Sequence, residues 1–181
     1  MASSGNGALE NLKGLIKAVP DFPKAGILFR DIMPIFKNQA AVTDMVELMI
    51  VVIKESYSNV DVIAGLDARG FLVAPLVANK LGKPFVPVRK AGKLPGKTIS
   101  KKSTKEYGED VLEIQADAIN QNDKIVIIDD LLATGGTLAA ACDLFKEAGG
   151  NVIGSICLVE LTDLNGTDKI KDINFTSLIK Y

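Results

Sequence analysis

The sequence predicts an α/β fold with a central, mainly parallel sheet flanked by helices. Three observations predict it. Apolar runs of strand length alternate along the chain with segments of helical periodicity, the pattern of β-α-β units. The strand-like runs are rich in β-branched residues, as expected of strands covered on both faces. One of them hands over, through two carboxylates and a glycine pair, to a helix. That junction lies at the sheet edge where such folds bind ligands.

Taken in order, 43–55 reads as a helix, 60–64 as a strand, 71–81 as a helix stopped by Gly82, and 85–88 as a strand. Residues 89–97 then place four cations and two glycines directly after a strand, followed by a polar, lysine-rich stretch to Gly108. This segment reads as a mobile flap at the ligand edge, although its composition alone suits a solvated hairpin equally well. Residues 111–114 alternate like a half-exposed strand. Lys124 to Ile128 is a buried strand, and 138–148 a helix closed by Gly149-Gly150. Residues 152–161 give another apolar strand, and 177–181 a short terminal one.

No linker-like break divides the 181 residues, so one domain is expected. A net charge of −1 argues against a nucleic-acid partner held by bulk electrostatics. Cys142 and Cys157 lie in apolar segments and read as reduced, buried thiols. The longest apolar stretch, 45–53, is interrupted by Glu47 and is far below membrane-spanning length, and no signal-like segment opens the chain. A cytoplasmic protein without a membrane partner is the expectation.

The chemistry concentrates in Val126-Ile127-Ile128-Asp129-Asp130-Leu131-Leu132-Ala133-Thr134-Gly135-Gly136-Thr137. At the start of a helix the first N–H groups lack internal partners and the dipole is positive, so an anion is favoured there. Gly135 and Gly136 let a phosphate approach the backbone. Adjacent carboxylates would repel bare phosphate oxygens, so Asp129 and Asp130 call for a ribose diol or a hard cation such as Mg2+. Neither the Walker spacing nor the three-glycine dinucleotide fingerprint is present. A second loop, Ala64-Gly65-Leu66-Asp67-Ala68-Arg69-Gly70, sets Arg69 between glycines near another helix start, which suits a second anion. A surface arginine in a tight turn is its plainer reading.

The chain has no histidine. Histidine-based triads and His-ligated zinc are therefore excluded, and any proton must move through a carboxylate, Lys, Tyr, water or substrate.

The stretch from Asp129 to Thr137 resembles the 5-phosphoribosyl-1-pyrophosphate (PRPP) motif of type I phosphoribosyltransferases. Asp21-Phe22-Pro23, 26–32, 65–71, Arg89-Lys90, 92–96 and Glu106-Tyr107-Gly108 follow one another as in the adenine phosphoribosyltransferases, from about Pro20 onward. That resemblance implies a parallel five-stranded core over about 36–181, a small hood over about 1–35 and a flexible catalytic loop over about 93–110. It also implies a homodimer, with PRPP and adenine as substrates and Mg2+ carried by PRPP. The reaction would be purine salvage: adenine and PRPP give AMP and pyrophosphate.

Carried over by position, Leu28, Phe29 and Arg30 would form the adenine site, with Phe29 stacked on the ring and Leu161 on its other face. Read without the resemblance, Phe29 is a core aromatic beside a surface Arg-Asp pair. Asp67, Arg69, Lys90 and Lys93 would bind pyrophosphate. Asp129 and Asp130 would face ribose hydroxyls or metal-bound water, and Ala133, Thr134, Gly135, Gly136 and Thr137 would hold the 5-phosphate. Glu106 is the general base that the resemblance implies, with Tyr107 and Arg69 as its catalytic companions. Ala133 stands where enzymes using hypoxanthine and guanine usually carry an aspartate, which favours adenine over six-oxopurines. Two alternatives stay open: a hypoxanthine/guanine enzyme and a PRPP-binding regulator without catalysis. The chain departs from the family pattern at Ala68, often a serine, and in the lysine density of its flap.

Overall fold

The computed structural model describes residues 5–105 and 108–181, with the side chains of 103–105 and 108–110 left out. The chain forms two compact units, Met1–Met49 and Ile50–Tyr181.

The first unit begins with helix α1 (Gly5–Leu15), which buries Ala8 and Leu12 one turn apart. A two-stranded antiparallel ribbon follows, β1 (Lys17–Pro20) with β2 (Leu28–Asp31), Val19 facing Phe29 in register. The connection between them turns on Asp21, whose carboxylate accepts from Gly26 N–H at 2.8 Å. Helix α2 (Met33–Phe36) starts on Pro34, where a missing N–H costs nothing. Helix α3 (Gln39–Ser56) starts in this unit and continues into the next. Ile32, Ile35, Ala41 and Met45 are buried.

The second unit is a seven-stranded sheet, built from β3 (Val62–Leu66), β4 (Phe85–Lys90), β5 (Thr98–Lys105), β6 (Gly108–Gln115), β7 (Lys124–Leu132), β8 (Asn151–Glu160) and β9 (Phe175–Lys180). Its order is β5-β6-β4-β3-β7-β8-β9, and the five strands from β4 to β9 are parallel, as expected of the core. β3 leads through a 3-10 turn (Arg69–Leu72) and helix α4 (Ala74–Leu81) to β4 on one side, while β7 leads through helix α5 (Gly136–Glu147) to β8 on the other. Connections depart in opposite directions from β3 and β7. Adjacent strands of this kind create the crevice where open α/β sheets take ligands.

Val62, Ala64, Leu66, Ile125 and Ile127 form one buried cluster with Leu138, Ala141, Leu144 and Phe145 of α5. By the two-residue period of a strand, Ile63, Val126 and Ile128 belong to the opposite face, and all three are fully buried. This two-sided burial is what the β-branched runs require. α4 packs on β3 and closes on Gly82, at φ 64° in the left-handed region.

The expected flap is an antiparallel hairpin, β5 with β6, continuing the sheet beyond β4. Lys101 and Lys102 lie in β5, in register with Leu112 and Val111 of β6. That partner strand is more buried than its pattern implied. Leu112, Glu113 and Ile114 are all enclosed, because α5 packs over this hairpin and Ile114 joins the α5 cluster. Lys101 pairs with Glu147 at the end of that helix.

Candidate active site

Strand β7 runs on to Leu132, so Asp129 and Asp130 stand within the strand and not past its end. The reason is tertiary: β8 extends equally far, pairing Asp129 with Cys157 and Leu132 with Glu160. Consecutive positions on a strand point to opposite faces, and only Asp130 is fully buried, at 4% exposure. Asp130 N–H donates to Asp129 Oδ1 at 2.9 Å, which fixes the first carboxylate at the strand edge.

After β7 the chain passes through Ala133 and Thr134 to Gly135, the residue before α5, at φ 75° and ψ −7°. No side chain caps this helix. The N–H groups of its first turn are therefore left to whatever binds there. Gly135 is required twice over: its φ is left-handed, and an added Cβ would lie 2.1 Å from Gly166 O. Gly166 is pressed in return against Ala133 O, which an added Cβ there would meet at 2.2 Å. The turn at 165–166 thus buttresses the cradle. A cavity of about 310 Å³ opens here, lined by Asp129, residues 131–138 and Cys157.

The loop after β3 comes to the same edge. Arg69 Nε lies 2.9 Å from Asp130 Oδ2, an ion pair across the β3–β7 crevice. Among the described residues that buried oxygen accepts no hydrogen bond, so the contact is a charge pair. Gly70 makes the approach possible: a Cβ would sit 3.0 Å from both Asp129 Oδ1 and Ile128 O. The peptide between Asp67 and Ala68 is cis.

Two carboxylates this close and this enclosed resist ionising. Burial, and then the charge of Asp130, push the Asp129 carboxyl well above its ordinary range. Asp130 is raised by burial too, with the Arg69 guanidinium pulling the other way. A hydroxyl donor or a cation at this place would relieve both.

Of the residues expected at pyrophosphate, Arg69 faces Asp130, whereas Lys90 and Lys93 are exposed at the end of β4 and in the turn beyond it. Asp67 turns its Oδ2 to Arg89, which donates from Nε at 3.0 Å. The sequence shows Arg89 as one cation in a run and as half of the Arg89-Lys90 pair of the family pattern, with no role of its own. Its guanidinium also lies 5.9 Å from the centre of the Phe71 ring and donates from Nη1 to Lys93 O at 3.3 Å. Glu113 is a second group that the motif left out, and its signal was an acid between Leu112 and Ile114 in a buried strand. Gly166 carried no signal, since Asn165-Gly166 reads as an ordinary turn.

Leu161 follows β8, and its N–H donates to Leu132 O at 3.0 Å, beside the cradle. In the N-terminal unit, Leu28, Phe29 and Arg30 share β2. Leu28 is 49% exposed, and the half-buried Phe29 ring meets Phe22 edge-on at 5.1 Å. Glu106 and Tyr107 lie outside the described residues.

A strand-to-helix glycine turn behind paired aspartates, on a parallel sheet, is the arrangement of the class, and residues 34–180 match the phosphoribosyl transferase domain family. An adenine phosphoribosyltransferase of Caenorhabditis elegans is 54% identical over 166 residues, covering 92% of this chain and 90% of the relative. The structure of the Saccharomyces cerevisiae adenine phosphoribosyltransferase, complexed with an imino-altritol bisphosphate and adenine, superimposes with a TM-score of 0.93 at 38% identity, over 96% of this chain and 99% of that one. The enzyme from Thermoanaerobacter pseudethanolicus gives 0.92 at 45% identity, over 96% and 99%. This chain belongs to the adenine phosphoribosyltransferase family.

Proposed function

We propose that the protein is a purine-salvage pentosyltransferase that moves the 5-phosphoribosyl group of PRPP to adenine, giving AMP and pyrophosphate. The observation that carries this reading is the uncapped start of α5 at Gly135, beside Asp129, Asp130 and Arg69. Backbone N–H groups there suit a 5-phosphate, and the two carboxylates suit the ribose diol. Arg69, with Lys90 and Lys93, suits the departing pyrophosphate. Such a reaction passes through an oxocarbenium-like sugar, so orientation and charge neutralisation are the main tasks of the protein.

The donor set fits Mg2+ brought in with PRPP. Among the described residues no three acidic or cysteine side chains gather into a cage, and Mg2+ characteristically keeps waters and substrate oxygens with only one or two carboxylates. Asp129 and Asp130 would hold it through water, and it would supply charge neutralisation at the pyrophosphate. Relief of the raised Asp129 carboxyl supports that placement.

Leu28, Phe29 and Arg30 form the adenine-reading surface of the hood in this proposal. An aromatic face steadied by a perpendicular neighbour, as Phe22 steadies Phe29, is a sound platform for a purine. Glu106 takes the purine proton, with Tyr107 as its catalytic companion. The protein acts in the cytoplasm as a homodimer. Exposed Leu72 and Leu76 offer apolar area for self-association, and no helix among the described residues is long and apolar enough to cross a membrane.

The decisive assay supplies PRPP, Mg2+ and each purine base in turn and identifies the nucleotide formed. AMP from adenine alone is the expected result. IMP or GMP would reassign the base and the meaning of Ala133, and PRPP binding without any product would make the protein a regulator.

A further inference from the structure

Residues 91–97 follow β4 and carry Lys93 and Lys97 past two glycines at φ 78°, Gly92 and Gly96. This turn is wrapped around an acid from the neighbouring strand. Glu113, only 5% exposed, takes the Lys93 and Leu94 N–H groups on its Oε1, both at 3.0 Å. The turn is closed at its flanks by Ala91 N–H to Val111 O at 2.8 Å and Ala116 N–H to Lys97 O at 2.9 Å. On its far side, Lys93 O accepts from Arg89, and Arg89 grips Asp67 in the loop that carries Arg69. A chain of contacts therefore runs from Glu113 through Lys93 and Arg89 to Asp67. It ties both cation-bearing loops to one buried carboxylate.

We propose that Glu113 is a positioning residue for the pyrophosphate end of the site, setting the Gly92-Lys93-Leu94 backbone so that Lys90 and Lys93 converge with Arg69 on the anion. This rests on the reaction proposed above. Side chains at Lys90 and Lys93 are long and exposed, so where their charge acts is decided by how firmly their backbone is held. A carboxylate is suited to this because it accepts several backbone N–H groups at once, as a phosphate does in a nest. Burial alone would raise the Glu113 carboxyl, but the N–H groups of Leu94, Lys93 and Gly92 and the Thr98 hydroxyl outweigh it and lower it, keeping the group anionic.

Two variants of the full-length protein test the role, Glu113→Gln, which keeps length and an accepting oxygen, and Glu113→Asp, which keeps charge but withdraws it by one methylene. Both are assayed with PRPP, Mg2+ and adenine, and titrated calorimetrically with PRPP and Mg2+, at a temperature where each is folded by circular dichroism. Glu113→Asp should raise the KM and the Kd for PRPP by about tenfold while the KM for adenine stays within about twofold, and Glu113→Gln should recover most of the loss. A merely structural acid would lower the melting temperature and the active fraction without separating the two KM values. An unchanged PRPP Kd in Glu113→Asp, or equal rises in both KM values, overturns the proposal. Wild-type protein that binds PRPP but forms no AMP overturns the proposed reaction alone, and the Kd comparison then still decides the role of Glu113. Wild-type protein that binds no PRPP overturns both.

Discussion

The two sides of the candidate site are built from different materials. The cradle after β7 is made of backbone: a left-handed glycine, an uncapped helix start and close packing against Gly166. The opposite side is assembled across loops: Arg69, in the 3-10 turn after β3, and Arg89, near the end of β4, are held by Asp130 and Asp67, and the Lys93 backbone N–H by Glu113. A backbone site tolerates no added atom, because nothing in it can swing aside. A side-chain site tolerates substitution to the extent that its carboxylate partners survive it. The lesson concerns location: the glycine-bearing helix start is written into a few consecutive residues, whereas the charged side is distributed over the fold.

Gly135→Ala should break the comparison most severely. Left-handed φ costs a Cβ residue about 1–2 kcal/mol, and the new methyl would also meet the Gly166 carbonyl. Loss of PRPP-dependent activity on the order of a hundredfold or more is expected, read as kcat/KM for PRPP. Gly166→Ala, remote from the chemistry, should cost activity by the same route, through the Ala133 carbonyl. If its kinetics match the wild type, the buttress is dispensable.

Arg69→Lys keeps charge and loses the guanidinium fork, so kcat/KM should fall by about tenfold to a hundredfold, with adenine KM little changed. The fall should be smaller than at Gly135, and a larger one would mean that the side-chain side is the less tolerant of the two.

Asp129→Asn tests the charge within the strand. The folded-state carboxyl of Asp129 is raised above its unfolded value, so its contribution to stability is complete below the ordinary carboxylate range and is lost as pH rises through the raised value. At neutral pH the ligand-free wild type carries that loss and the variant does not. The variant should therefore melt higher at pH 7, by about 2–4 °C for each kcal/mol relieved, while losing activity. A lower melting temperature at pH 7 would show that the carboxylate is stabilised by its surroundings after all.

Smallest of all should be the response of the two cysteines to alkylation. Burial pushes Cys142 up to about 12, with Asp143 adding to it, and raises Cys157 well above the ordinary thiol range, aided by Asp129 and Asp130. Native protein should resist iodoacetamide at pH 8, with mass spectrometry showing labelling only after unfolding. Rapid labelling of Cys157 in the folded state would mean that the cradle opens.

Much of this was readable from the chain because it is local. The Gly135-Gly136 pair needs only its neighbours to form a helix start, and Lys124 to Ile128 announces its own burial. The limit of β7 was not local, since Asp129 and Asp130 are in the ladder only because β8 runs beside them to Glu160. The pairing of the lysine-rich segment as an edge hairpin was not local either, since a strand at the sheet edge with one wet face has the composition of a loop. Glu113 stood out as an acid among apolar residues, but its partners lie about twenty positions away.

By itself the sequence determined the glycine-bearing helix start after the paired aspartates, the parallel core and the exclusion of histidine chemistry, each set by residue type and short-range spacing. Tertiary structure alone decided that β3 and β7 are neighbours, which brings Arg69 to 2.9 Å from Asp130, and that Arg89 and Glu113 organise the loops around them. The physical reason is that a backbone anion site needs only consecutive dihedral angles, whereas a charge pair needs two strands to be packed side by side, and strand order is fixed by burial across the whole sheet.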